Sequence, residues 1–177
     1  MHDELTVRAL TPDDAQAFVA LRTEALVRHP LAFSAVIEHD FARSIETARV
    51  ALVEDRDSAI FGLFSRERLV GMVGVERARK VKRRHQASVW GLYDSGETPD
   101  CRGERRLLEA VIAWARAIPA IEQLRFSAAE SAGELRKLCA SLGFREWGLE
   151  PRALQWDGQF VAQAHMVLEL KSSGLPR

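Results

Sequence analysis

An α/β fold of the α+β kind, with helices flanking a mixed and mostly antiparallel sheet, is what this sequence predicts. Three observations carry the prediction. Strand-like and helix-periodic runs follow one another in the order β, α, α, β, β, β, α, β, α, β, β. A single helical run crosses from the strand ending at Tyr93 to the strand at Gln123, which makes those two strands parallel candidates inside an otherwise antiparallel sheet. The chain has 177 residues, 47% of them hydrophobic, enough for one well-filled core and short for two. The expectation is one domain over residues 1–170, about seven strands and about four helices, and a flexible tail over residues 171–177, "KSSGLPR".

Each element has its own local cause. "LTVRAL" alternates apolar and polar residues and reads as a half-buried strand. "TPDDAQAFVALRTEALVRHP" opens on a threonine cap, proline at the first helical position and two acids in the first turn, with Ala15, Phe18, Leu21, Ala25 and Leu26 on one face. Residues 44–53 lack proline and glycine and carry a weaker apolar stripe, so they form a second helix. "SAIFGLFSRE" and "RLVGMVGVERAR" are β-rich runs joined by a polar turn, hence a hairpin, and "HQASVWGLYD" is a third such run.

Over residues 103–118 the side chains Leu107, Leu108, Val111, Ile112, Ala115 and Ile118 fall at helical spacing. "QLRFSAA" is a short strand. "SAGELRKLCASLGF" is a helix with Leu135, Leu138, Cys139 and Leu142 on one stripe and Gly143 at its C-terminal end. "WGLEPRALQWDG" and "QFVAQAHMVLEL" close the chain as an antiparallel pair across a "DG" turn.

Charge and composition exclude several classes. With 25 basic and 25 acidic residues there is no global field to recruit nucleic acid or an anionic membrane. The one basic run, "RARKVKRR" at residues 77–84, holds no aromatic residue for base stacking and reads as a solvated hairpin tip, so no nucleic-acid partner is expected. Two cysteines, Cys101 and Cys139, are too few for a disulfide framework and have no zinc spacing, so no metal is expected. "MHDELTVRAL" lacks the apolar core of a signal peptide, and no apolar run approaches the ~20 residues of a membrane span. The expected setting is reducing and cytoplasmic, without a membrane partner.

Particular words in this order carry a resemblance: "HPLAF" after the first helix, "WGLY" at the end of the central strand, "LLEAVIAWAR", then "LRKLCASLGF", and "GLEPRALQWDGQFV" near the end. Over residues 5–170 the chain resembles the GNAT acetyltransferase superfamily, which transfers an acetyl group from acetyl-CoA to an amine. The resemblance implies that the central strand and the next parallel strand splay apart and hold the pantetheine arm between them, with backbone groups near Leu92 and Tyr93 pairing with it. It also implies that the pyrophosphate sits on the turn into the following helix. A small-molecule or peptide amine would attack the thioester directly, with a base to take its proton and an acid to return one to the thiolate. Relatives are often homodimers.

The resemblance carries over residue by residue. The family's phosphate turn, Q/R-x-x-G-x-G/A, falls without a gap on Pro99, Asp100, Cys101, Arg102, Gly103 and Glu104, so both glycine positions hold long charged side chains. A second alignment on Arg102 and Gly103 puts Arg105 and Leu107 on the glycine positions and shortens the helix. Asp100 or Glu104 at the helix start competes with a phosphate for the same N–H groups, whereas Arg102, Arg105 and Arg106 offer side chains that bind one. The helix position where relatives carry a tyrosine that protonates the thiolate holds Cys139, either an acid or a core residue. His85 and Glu76 are the candidate bases. "HPLAF" is where relatives line the acceptor mouth, so Phe33 and Ser34 are candidates for substrate contact, or part of a turn that holds the first helix to the core.

Overall fold

A computed structural model describes residues 5–96 and 99–171. The tail expected over residues 171–177 lies outside them from residue 172 onward. The elements come in the predicted order: β1 (Leu5–Ala9), α1 (Ala15–Arg28), α2 (Ile45–Ala51), β2 (Ser58–Ser65), β3 (Arg68–Arg77), β4 (Gln86–Asp94), α3 (Arg102–Ala117), β5 (Gln123–Ala129), α4 (Gly133–Ser141), β6 (Arg145–Trp156) and β7 (Gln159–Glu169). The seven strands form one sheet in the order β1-β2-β3-β4-β5-β7-β6. Every neighbouring pair is antiparallel except β4 and β5, which are parallel.

Local chemistry sets the ends. Thr11 is extended and exchanges capping bonds with Asp14, and Pro12 begins a single 3-10 turn that runs into α1. Ser44 caps α2 by accepting from the Thr47 N–H at 3.2 Å. The second helix is shorter than residues 44–53, because Leu52 turns into the core and leaves Val53 exposed. At the end of α4, Gly143 takes φ +93°, its N–H donates to the Ala140 carbonyl and the Phe144 N–H donates to the Cys139 carbonyl. These are the two bonds that close a helix through a left-handed glycine.

The sheet has a packed layer on each side. On one face Leu107, Leu108, Val111 and Ala115 of α3 join Leu63, Val73, Val75, Ala87 and Leu124 of the strands in a fully buried cluster. On the other, Phe18, Leu21 and Ala25 of α1 pack with Ala48 of α2 and with Ile60, Met72 and Tyr93 of the sheet. Strands therefore carry apolar side chains on both faces where they are covered, and alternate only where one face is open.

Candidate active site

The central irregularity lies in β4. Met72 pairs with Tyr93 and Gly74 with Trp90, so Gly91 and Leu92 stand against Val73 alone, which is a β-bulge. Gly91 sits there at φ +65°, a conformation that suits glycine. On the opposite edge, β4 pairs with β5 only at Gln86–Gln123, Ala87–Leu124 and Ser88–Arg125. Beyond Ser88 the two strands diverge and open a cleft of about 850 Å³.

Both diverging strands line the cleft, Val89 to Leu92 on one side and Phe126 to Ala129 on the other. The segment between α1 and α2 supplies Phe33, Ser34 and His39, and β6 and β7 supply Trp147, Gln163 and His165. Trp90 is held by shape: its indole lies against Gly74, where an added Cβ would stand 2.2 Å from the ring. Phe41 meets it edge-on at 5.4 Å between centroids.

Beneath this wall lies a buried ion pair. The Arg22 Nε and Nη2 donate to Asp40 Oδ2 at 3.2 and 2.9 Å, with side chains only 6% and 3% exposed. The remaining Asp40 oxygen accepts from the Ala42 N–H at 2.9 Å. The guanidinium faces the rings of Phe33, Phe41 and Trp90 at 5.3 to 5.9 Å. Arg22 Nη1 is buried without a hydrogen-bond partner, against Gly91.

The turn that leads into α3 has the opposite character. Asp100 (φ +58°) and Cys101 (φ +53°) are consecutive left-handed residues, which costs side-chain-bearing residues about 1–2 kcal/mol each. Glu104 Oε2 is buried with no partner. Burial pushes the Glu104 carboxyl up from its usual range, its own backbone N–H works against that, and Asp94 adds to it. The Cys101 thiol is also raised, first by burial and then by Glu104, Glu134, Asp100 and Asp94, so four carboxylates converge on this turn.

Two of the three arginines of the turn are engaged by other residues. Arg105 donates to Ser141 Oγ at 2.9 Å and pairs with Glu109 at 3.9 Å. Arg106 donates to the Leu5 carbonyl on β1, and Arg102 is exposed. Beyond Ser88 the cleft between β4 and β5 is open along both strands, whereas the turn into α3 gathers carboxylates at a helix start. Negative charge gathered there opposes an anion that would approach the start of α3.

The structure brings Phe33, Ser34, Glu76 and Leu92 to the cleft. Glu76 is held by Arg79 at 3.1 Å. Tyr93 is buried, and its hydroxyl donates to Glu24 Oε1 at 2.7 Å. His85 lies at the far end of β4, where its carbonyl accepts from the N–H groups of Glu122 and Gln123, away from the bulge. Cys139 is fully buried in the core, with its thiol pushed up to about 12 by burial, so it is not placed to donate a proton in the cleft. Gly103 is buried at the start of α3.

Sequence reasoning passed over Arg22, Asp40, Ser127, Glu150 and His165. Ser127 Oγ lies 2.7 Å from His165 Nδ1, and His165 Nε2 lies 3.0 Å from Glu150 Oε2. One signal for them was present. "QLRFSAA" and "VAQAHMVLEL" alternate, so Ser127 and His165 fall on the face opposite Phe126, Ala128, Ala164 and Met166. Among the described residues no group of three or more His, Cys, Asp or Glu side chains is placed to hold a metal ion. No helix there is long and apolar enough to cross a membrane.

Comparison with solved structures places this architecture. The chain matches an acetyltransferase of the GNAT family from Streptococcus pneumoniae with a TM-score of 0.81 at 20% identity, over 95% of this chain and 100% of that one. It matches YncA from Salmonella typhimurium, solved with its cofactor acetyl-CoA, with a TM-score of 0.81 at 16% identity, over 98% of each chain. A spermidine N-acetyltransferase SpeG chimera from Vibrio cholerae and hSSAT gives a TM-score of 0.73 at 17% identity, over 94% of this chain and 95% of that one. No family model matches the sequence, and no curated protein matches it significantly.

Proposed function

On a chain with the fold of the GNAT acetyltransferases, we propose that the cleft transfers an acetyl group from acetyl-CoA to the amine of a small molecule or peptide by direct attack. The divergence of β4 from β5 after three residue pairs carries this reading. It leaves an edge of β4 facing the cleft, where an arm rich in amides adds to the sheet as an extra strand would. The bound thioester supplies an activated acyl carbonyl.

The chain's own residues do the rest. The bulge at Gly91 and Leu92 turns the backbone of β4 toward the channel. Phe33 and Ser34 border the side on which an acceptor enters, opposite the channel wall formed by Phe126 and Ala128. The neighbour named a spermidine N-acetyltransferase takes an amine, which is the acceptor class that this reading gives the cleft. Glu76 lies in the cleft as a proton acceptor once Arg79 releases it.

A second reading is favoured by one observation, the buried Glu104 Oε2 that has no hydrogen-bond partner at the start of α3. Under it the chain keeps the sheet, has lost acetyl-CoA binding, and uses the cleft to hold another ligand or partner. Thermal unfolding separates the two. A ligand at 100 times its dissociation constant adds about 2.7 kcal/mol of stability, a shift of several degrees for a chain this size.

Millimolar acetyl-CoA is expected to raise the melting temperature, and a curve left unmoved decides for the non-catalytic reading. Acetyl-pantetheine, which lacks the nucleotide, is the companion ligand. An equal shift from both assigns binding to the channel and none to the turn.

A further inference from the structure

We propose that Ser127, His165 and Glu150 form a second reactive centre on the floor of the cleft, in which Ser127 accepts an acyl group from an activated ester or thioester. The proposal rests on the geometry of three side chains and is independent of whether acetyl-CoA binds.

Ser127 on β5 and His165 on β7 are direct cross-strand partners on the open face of the sheet. Glu150 is the cross-strand partner of Gln163, two residues from His165 on that same face. The irregularities in β6 on either side, between Glu146 and Gly148 and between Glu150 and Leu154, leave Glu150 within reach of the imidazole. Three strands therefore contribute one group each to a line of 2.7 and 3.0 Å hydrogen bonds.

The direction of those bonds follows from the groups. A carboxylate only accepts, so Nε2 carries the proton and donates to Glu150, which leaves Nδ1 with its lone pair toward the Ser127 hydroxyl. The hydroxyl then donates to Nδ1. This is the arrangement that activates a serine, with the acid fixing the tautomer of the base and balancing the charge it acquires. Trp147 stacks on the imidazole at 5.4 Å and 22°, which limits rotation of the ring, and the Arg125 guanidinium lies over the Trp147 ring at 5.2 Å.

Burial does not explain the pairing. Ser127 is exposed, so water would satisfy its hydroxyl without a histidine. The hydroxyl instead faces a cleft whose opposite wall is the bulged strand β4, with room for an acyl group.

The step balances within these groups. Ser127 Oγ attacks the carbonyl carbon as its proton passes to His165 Nδ1. The bond from carbon to the leaving sulfur or oxygen breaks, the leaving group takes that proton from Nδ1, and an acyl ester remains on Ser127. Water or an amine then attacks the ester, again giving its proton to Nδ1, and the returning proton restores the serine hydroxyl.

The test uses the intact protein and p-nitrophenyl acetate. Release of p-nitrophenolate is followed together with acid-quenched peptide mapping by mass spectrometry. Acetyl-Ser127 is expected in the wild type, and Ser127→Ala is expected to remove that adduct and to reduce the protein-dependent release to the level that lysine labelling accounts for. His165→Asn should slow release by about 100-fold or more, the span of a general base, with Glu150→Gln falling between the two. Exposed lysines label equally in all four proteins and report on reagent and fold. Release in Ser127→Ala equal to that of the wild type, or equal labelling of Ser127 in His165→Asn, overturns the proposal. Neither outcome touches the melting experiment with acetyl-CoA.

Discussion

Glu104 places a carboxylate in the first turn of α3, and burial raises its pKa. A raised folded-state pKa means that the native chain holds more protons than the unfolded one between the two values. Stability therefore falls as pH rises through that window, from the ordinary carboxylate value upward. Glu104→Gln removes the titrating group, so the variant is expected to melt higher than the wild type at pH 8. The gap should close as pH falls below 4, and melting curves across pH check it. The same variant relieves repulsion of a phosphate and should bind acetyl-CoA more tightly.

Asp40 makes the contrasting case. Its carboxylate neutralises a guanidinium that is sealed under three aromatic rings, and it also holds the Ala42 N–H. Asp40→Ala strands that buried charge and is expected to cost about 3–5 kcal/mol, read by urea unfolding. Nothing in the order of residues announces this pair. Arg22 falls on the apolar face of α1 beside Leu21 and Ala25, where a pattern reader counts it as an exception, and Asp40 lies in a segment without periodicity.

At the scale of elements, β4 and its neighbour β3 position the cleft. Gly74 exists in β3 to receive the indole of Trp90. Gly74→Ala forces the ring or the strand to move and is expected to cost about 1–3 kcal/mol in urea unfolding. Gly133→Ala at the start of α4 is the control, since a Cβ there meets nothing within 4 Å. It should be neutral or stabilising by up to about 1 kcal/mol.

Helices and strands were legible because their causes are local: caps at Thr11 and Ser44, the stripe of α3, the alternation of β7. The bulge at Gly91 was not, because it depends on which β3 residue faces it. The Ser127–His165 contact was hidden for the same reason, being set by strand pairing across 38 positions of chain.

For the whole molecule, the order of elements was readable from the sequence, and the solved structures match it over nearly the entire chain. Family words placed the channel, since backbone rather than side chains makes it, and they pointed to the turn into α3. What that turn holds came from its chemistry. The acids at Asp100 and Glu104 were visible as residues, while their convergence with Asp94 and Glu134 needed three dimensions.

The seam between β4 and β5 has one more consequence. Strands β1 to β4, with α1, α2 and α3, precede residue 118 in the chain, and β5 to β7, with α4, follow it. The two halves share three residue pairs of sheet and one buried cluster, in which Leu124, Phe126 and Met166 meet Leu107 and Val111. A chain cut between residues 118 and 122 would yield two pieces, each with an unbroken run of strands. The first keeps the cluster under α1 and α2 whole, while the cluster under α3 is divided between them. The cleft is thus the natural line for fragment complementation, and its two walls would come together only when the pieces do.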